Sequence, residues 1–211
     1  MHTEIQARER ILIAAKKLFA QKGYEQVTVR EIAREAKCSH TSIYVYFEDK
    51  KQLLEALAKE PLDRLQKCIQ GILTSDKYTE QEKLIRLSKV FVHFGLSYRN
   101  LYHAFLAFEA SRVDVEETIW ELNEKRLDLF AHLKDAVKGV FPVADEKSLL
   151  DLSRMIYFVL HGIIMTYKDV DERITGIIKR IFPIIDRSIT YLIQGGKVDE
   201  SNKSLATRLQ N

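Results

Sequence analysis

Apolar residues recur at three- and four-residue intervals along most of this chain, the spacing of helices that each bury one face. Ile11, Ala15, Leu18 and Phe19 form the first stripe, and Gly23 closes it as a C-terminal glycine. Thr28-Val29-Arg30-Glu31 has the form of a capping box, so a second helix starts at Thr28 and turns Val29, Ile32, Ala33 and Ala36 inward. Ala33 is small enough for a close helix crossing. Lys37-Cys38 fills a turn, and Ser39 caps a third helix running to Phe47, with Ile43 and Phe47 inward at i, i+4. Asp49 with Gln52 starts a fourth helix in the same way. Two short helices joined by a tight turn match the helix-turn-helix pattern.

The same reading continues downstream. The fourth helix extends to about Leu73 along Leu53, Leu54, Leu57, Leu62, Leu65 and Ile69, with a kink expected at Pro61. Thr79-Glu80-Gln81-Glu82 opens a fifth through Leu84, Leu87, Phe91 and Phe94, and another holds Tyr98 to Ala110. Asp114 with Glu117 caps a long helix that ends near Val140, at Gly139 and Pro142. Asp145 opens the next, to about Tyr167. The last runs from about Asp171 to Gln194, with Gly195-Gly196 as its stop and a polar, frayed tail beyond. The expected fold is all-α, with about nine helices. It divides into an N-terminal three-helix helix-turn-helix unit (1–50), a helical bundle (51–196) and the polar tail (197–211). The last two helices carry apolar residues on more than one face, which implies burial on two sides. That fits a central core helix or an interface between chains.

Composition narrows the picture. With 46% apolar and 30% charged residues in 211, the chain is an ordinary globular one, and its formal net charge is only +3. Residues 1–51 hold ten Lys or Arg against seven Asp or Glu, a footprint too weak to indicate DNA by charge alone. The third helix is more informative. Its outer face carries Ser39, His40, Thr41, Ser42, Tyr44 and Tyr46 where a solvated helix would carry Lys, Glu and Arg. Hydroxyls and aromatic hydroxyls suit phosphates and base edges. The six histidines are scattered without metal-ligand spacing, and Gly195-Gly196-Lys197 lies at a helix end rather than in a phosphate loop. Neither a metal, a cofactor nor an enzymatic activity is expected. No leader-like apolar core opens the chain, and the longest apolar run, Ile156 to Met165, is broken by His161 and Gly162. Two cysteines on separate helices argue against a structural disulfide and for a reducing cytoplasm.

Residues 8–54 resemble the N-terminal DNA-binding domain of the TetR family of bacterial repressors. The matching residues are Arg10-Ile11-Leu12, Ala14-Ala15, Leu18-Phe19, Gly23-Tyr24, Thr28-Val29, Ile32-Ala33, Ala36, Cys38-Ser39, Ile43-Tyr44, Tyr46-Phe47, Lys50 and Leu53, with Cys38 where the family often has valine. The resemblance implies that Thr28 and Lys50 contact phosphates and that Arg30 reaches a guanine or a phosphate. It places Ser39, His40, Thr41 and Ser42 toward the groove, and Tyr44 and Tyr46 on phosphates or thymine methyls. It also implies that the last two helices form a four-helix interface in a homodimer, so that the double-stranded DNA operator is pseudo-palindromic. The aromatic middle of the chain would then line a cavity for a small apolar or aromatic effector, with Phe94, Tyr98, Phe108, Trp120, Tyr157 and His161 as its candidate residues. A plain hydrophobic core is the other reading of these residues. The function implied is a ligand-responsive, cytoplasmic repressor without membrane attachment. The alternative is a helical dimeric interaction protein that has lost DNA binding.

Overall fold

The computed structural model describes residues 2–107 and 121–209, with side chains described for 6–104 and 124–199. Among the described residues there are nine α-helices and no strand: α1 (His2–Lys22), α2 (Val29–Glu35), α3 (His40–Tyr44), α4 (Lys50–Leu73), α5 (Glu80–Ser97), α6 (Arg99–Ala107), α7 (Glu121–Val140), α8 (Glu146–Thr166) and α9 (Ile174–Leu209). The start expected at Asp114 lies outside the described residues.

The helices begin where local chemistry satisfies their first N–H groups. Thr28 caps α2 in a complete capping box with Glu31, and Thr79 with Glu82 repeats the arrangement ahead of α5. Ser39 Oγ accepts from Ser42 N (3.0 Å), Asp49 Oδ1 from Gln52 N (2.8 Å) and Asp145 Oδ1 from Ser148 N (2.8 Å). Gly23, at φ +80°, ends α1 by donating from its N–H to Phe19 O (3.0 Å), in a left-handed conformation that glycine adopts without a side-chain penalty.

Three expectations need correction. α3 is shorter than Ser39–Phe47: after Tyr44 the chain tightens, and Tyr46 N and Phe47 N both donate to Ile43 O (3.0 and 2.9 Å). Phe47 still turns inward, at 2% exposure. Second, α9 does not stop at Gly195-Gly196 but continues to Leu209. Gly196 is buried, and a Cβ there would sit 2.8 Å from Phe141 Cζ and 3.4 Å from Leu152 Cδ1. This glycine makes room for a neighbour rather than ending a helix. Third, α8 is long and apolar enough in composition to cross a bilayer, despite its interruptions. Its length-wise apolarity comes from two separate faces, described below. α4, for its part, is unbroken through the buried Pro61.

Two compact units divide the chain. The first holds residues up to Arg64 together with α6. It is built around Ile11, Ala15, Phe19, Ile32, Ala33, Ile43, Phe47 and Leu53, all buried, with α2 packed on both α1 and α3 and α6 on α1. Asn100 on α6 donates to Ala20 O (2.6 Å), one of the unsatisfied carbonyls near the end of α1.

The second unit holds Leu65–Ser97 and the residues from Lys125 onward. Here α5 packs against α8 and α9, which also pack on each other. The buried row on α8 is Leu149, Ser153, Ile156, Leu160 and Ile164, and on α9 it is Ile177, Ile181, Ile185, Ile189 and Ile193. Ser88 and Ser153, fully buried, return their hydroxyls to Leu84 O (2.8 Å) and Leu149 O (2.7 Å), so the core carries no orphan hydroxyl there. Gly95 lets α5 approach α8; a Cβ would lie 2.5 Å from Ile164 Cδ1.

Candidate nucleic-acid interface

The turn between α2 and α3 sets the angle of the helix pair. Cys38 N donates to Ala33 O (3.0 Å) and Lys37 N to Arg34 O (3.3 Å), the bond pattern of a Schellman turn. Its left-handed position is occupied by Lys37 (φ 54°), a non-glycine residue that bears a steric cost of about 1–2 kcal/mol for that conformation. The Cys38 thiol is half-buried, and burial pushes its pKa up, which disfavours the reactive thiolate.

The outer side of α3 is open. Ile43 is fully buried, while His40, Thr41, Tyr44 and Val45 are exposed, Val45 at 76% and Tyr44 at 48%. The His40 and Tyr44 rings meet edge-on at 5.0 Å, one helical turn apart. Ser39 Oγ is shared: besides capping Ser42 N it lies 2.9 Å from Thr41 Oγ1 and 2.6 Å from Ser42 Oγ. Ser39 and Ser42 thus spend their hydroxyls on the helix start. Tyr46 is half-buried. Val45, the most exposed apolar side chain of this helix end, is not among the residues expected to contact DNA.

Thr28 and Arg30 are exposed at the start of α2. The Thr28 hydroxyl donates to Glu31 Oε2 (3.0 Å), and Lys22 Nζ donates to Glu31 Oε1 (2.7 Å). The Lys22 bond, followed by those from Thr28, holds the Glu31 carboxyl down to a pKa of about 2. Lys50 occupies a different environment from an open phosphate contact. Its Nζ donates to Tyr24 O and to Val27 O, both at 3.0 Å, and sits 4.2 Å from the centre of the Tyr24 ring. Burial lowers the Lys50 pKa, and burial followed by Asp49, Glu25 and Glu55 raises that of the Tyr24 phenol. Lys50 therefore ties the start of α4 to the loop between α1 and α2.

The residues expected to bind an effector are distributed over both units. Tyr98 belongs to the first unit, where its hydroxyl accepts from Arg64 Nη2 (3.2 Å). Phe94, Tyr157 and His161 belong to the second; Phe108 and Trp120 lie outside the described residues. Tyr157 and His161 stack at 5.7 Å, and Phe91 and Phe130 approach Tyr157 at 6.3 and 6.2 Å. Phe94 is buried at 7% exposure. Burial lowers the pKa of His161, which favours the neutral imidazole, and burial raises that of Tyr157. Arg126, unanticipated, is only 5% exposed, and burial lowers its pKa. The signal was present: Arg126 falls on the stripe of Leu129, Phe130, Leu133 and Val137. Among the described residues no three His, Cys, Asp or Glu gather as metal ligands.

The sequence of residues 11–57 matches the family model for bacterial regulatory proteins of the tetR family. The transcriptional regulator HbdR of Aromatoleum sp. (strain CIB) is 48% identical over 56 residues, covering 26% of this chain and 24% of that protein. A fatty acid metabolism regulator protein of Bacillus subtilis (strain 168) is 30% identical over 136 residues, covering 64% of this chain and 62% of that one.

Residues 11–57 form a TetR-family N-terminal domain.

In fold it is similar to the regulator FadR from Bacillus subtilis, solved in complex with stearoyl-CoA, with a TM-score of 0.56 at 19% identity over 84% of this chain and 96% of that one. The chain spans about a quarter and about three fifths of the lengths of the two curated relatives. The stretch shared with TetR-family regulators is the one that contains the Thr28 cap, the Lys37 turn and α3.

Proposed function

We propose that this protein is a homodimeric, cytoplasmic transcriptional repressor that holds a pseudo-palindromic DNA operator through α3 and releases it when a small apolar or aromatic effector binds. The observation that carries the reading is the outer side of α3: a short helix pinned from beneath by Ile43 and Phe47 and capped by Ser39, with His40, Thr41, Tyr44 and Val45 exposed. Those side chains face outward, and a helix of this width enters the major groove. Thr28 and Arg30 at the start of α2 and Tyr46 beside α3 supply phosphate contacts, while Ser39, Ser42 and Lys50 hold the reading surface in place.

A second copy of the chain supplies the other half-site. Opposite its buried row, α8 exposes Met155 (49%), Phe158 (62%) and Gly162, and α9 exposes Ile184 (45%), Tyr191 (66%), Gly195 and Val198 (58%). Among the described residues, no atom beyond the helix's own adjacent backbone lies within 4 Å of a Cβ placed at Gly162 or Gly195, so both leave space for a close helix crossing. Apolar rows of this length on two adjacent helices are what a twofold four-helix interface buries. In the operator-bound dimer the two α3 helices would stand about 34–36 Å apart, one turn of B-DNA. The effector acts by binding better to a conformation with another spacing. The rings around Tyr157 and His161, with buried Arg126, make the apolar setting with few polar groups that such a ligand needs. The structural neighbour bound to stearoyl-CoA supports an apolar ligand class.

Anisotropy titration of labelled intergenic duplexes from beside its own gene tests the reading. The full chain should bind at least one segment, more weakly as salt rises. His40→Ala/Thr41→Ala/Tyr44→Ala should lose at least tenfold affinity with the helical circular dichroism intact. Silence on every segment at low salt would favour the interaction-protein alternative instead.

A further inference from the structure

The open side of α3 has an apolar centre. Successive residues of an α-helix are rotated by about 100°. Measured from Ile43, the buried residue of α3, Val45 and Thr41 each stand about 160° away, on either side of the outermost line. Val45 keeps helical dihedrals (φ −69°, ψ −30°) although it caps the helix, so this placement holds for it. It is also 76% exposed, one of the most exposed large apolar residues described. The polar residues beside it are partly committed. Ser39 and Ser42 bond to each other and to the helix start, and the Thr41 hydroxyl is engaged with Ser39. What the outermost line of the helix offers is the Val45 isopropyl group and, one turn back, the Thr41 side chain with its methyl.

From this we infer that Val45 is a specificity-determining residue that reads the C5-methyl group of thymine; the inference rests on the proposed DNA-binding function. The major groove presents donors and acceptors on every base pair but only one apolar group, the thymine methyl. Val45 against a cytosine amino group or a guanine carbonyl would strip water from a polar group and return no hydrogen bond. Against thymine it buries methyl on methyl. Each half-site therefore contains a thymine facing Val45, and cytosine there is rejected although the protein makes no hydrogen bond at that position.

The test uses the full chain and a duplex selected from a random pool for tight binding. Each thymine is replaced in turn by deoxyuridine, which removes the methyl and nothing else. At one thymine per half-site, uracil should weaken binding by about fourfold, the worth of one buried methyl group. Val45→Ala should erase that ratio, binding both duplexes alike, with an unchanged melting temperature because the side chain is exposed. Uracil tolerated at every position, or a uracil penalty undiminished in Val45→Ala, overturns the inference while leaving DNA binding intact. Failure to select any duplex overturns the functional reading and this inference with it.

Discussion

Replacing Lys50 by methionine separates two roles that a lysine beside a DNA-binding helix could have. Methionine keeps the stem but removes the ammonium, which donates to Tyr24 O and Val27 O at 3.0 Å and faces the Tyr24 ring at 4.2 Å. Hydrogen bonds from charged groups contribute about 1.5–3 kcal/mol, but these carbonyls are only part-buried and regain water, so about 1 kcal/mol each is the better figure. The cation–ring contact adds about 0.5–1 kcal/mol. Relief of the lysine's own desolvation, visible in its lowered pKa, offsets some of this and leaves about 2 kcal/mol. For a chain of this size that lowers the melting temperature by about 4–8 °C. The assay pairs thermal melting with the salt dependence of DNA affinity. A lost phosphate contact reduces the slope of log K against log salt by about 0.9 per chain. Lys50→Met should leave that slope unchanged, while Arg30→Ala should reduce it. An unchanged melting temperature with a reduced slope for Lys50→Met would refute the bracing role and make Lys50 a phosphate ligand.

The other predictions concern caps, packing and assembly. Glu31→Gln should lower the melting temperature at neutral pH. Because the folded pKa of about 2 lies below the ordinary 4.5, the carboxylate's contribution is full above pH 4.5 and lost as pH falls to 2. The gap between the two proteins should close across that window, and a constant gap would count against the Lys22 and Thr28 bonds as its source. Gly95→Ala places a Cβ under 3 Å from three Ile164 atoms. Overpacking costs about 1–3 kcal/mol against a gain of about 1 kcal/mol in helix propensity, so the variant should be neutral to about 2 kcal/mol less stable in chemical denaturation. Adding Ile164→Val should recover part of any loss; strict additivity would refute the contact. Phe158→Glu/Tyr191→Glu should reduce the light-scattering mass from a dimer to a single 24.6 kDa chain, and a persisting dimer would place the interface elsewhere.

What the sequence disclosed and what it hid divide along the range of the interaction. The capping pairs Thr28 with Glu31, Ser39 with Ser42, Asp49 with Gln52 and Asp145 with Ser148 all close within three residues, so each could be read from its own neighbourhood. Gly23 was legible for the same reason. Gly196 was not: its role is set by Phe141, just past the end of α7, and by Leu152 on α8. The acceptors of Lys50 lie 23 and 26 residues back along the chain. On α3 the hydroxyl residues were visible, but their mutual hydrogen bonds were not, and these shift the exposed surface toward Val45. The effector residues were the least legible, because aromatic residues at helical spacing look alike whether they line a ligand or a core; Tyr98 falls in a different unit from Phe94, Tyr157 and His161.

The lysine in the left-handed position between α2 and α3 has a consequence for how such a protein adapts. The elbow is closed by two backbone bonds, with one helix capped by Thr28 and the other by Ser39, so a swivel of one helix against the other would have to break hydrogen bonds. If the protein binds DNA as proposed, an imperfect operator would not be accommodated by tilting the inserted helix alone. Tolerance to altered half-sites must come from displacement of the whole headpiece or from deformation of the duplex itself, and a bendable base step at the operator centre would then be worth as much as a matching letter.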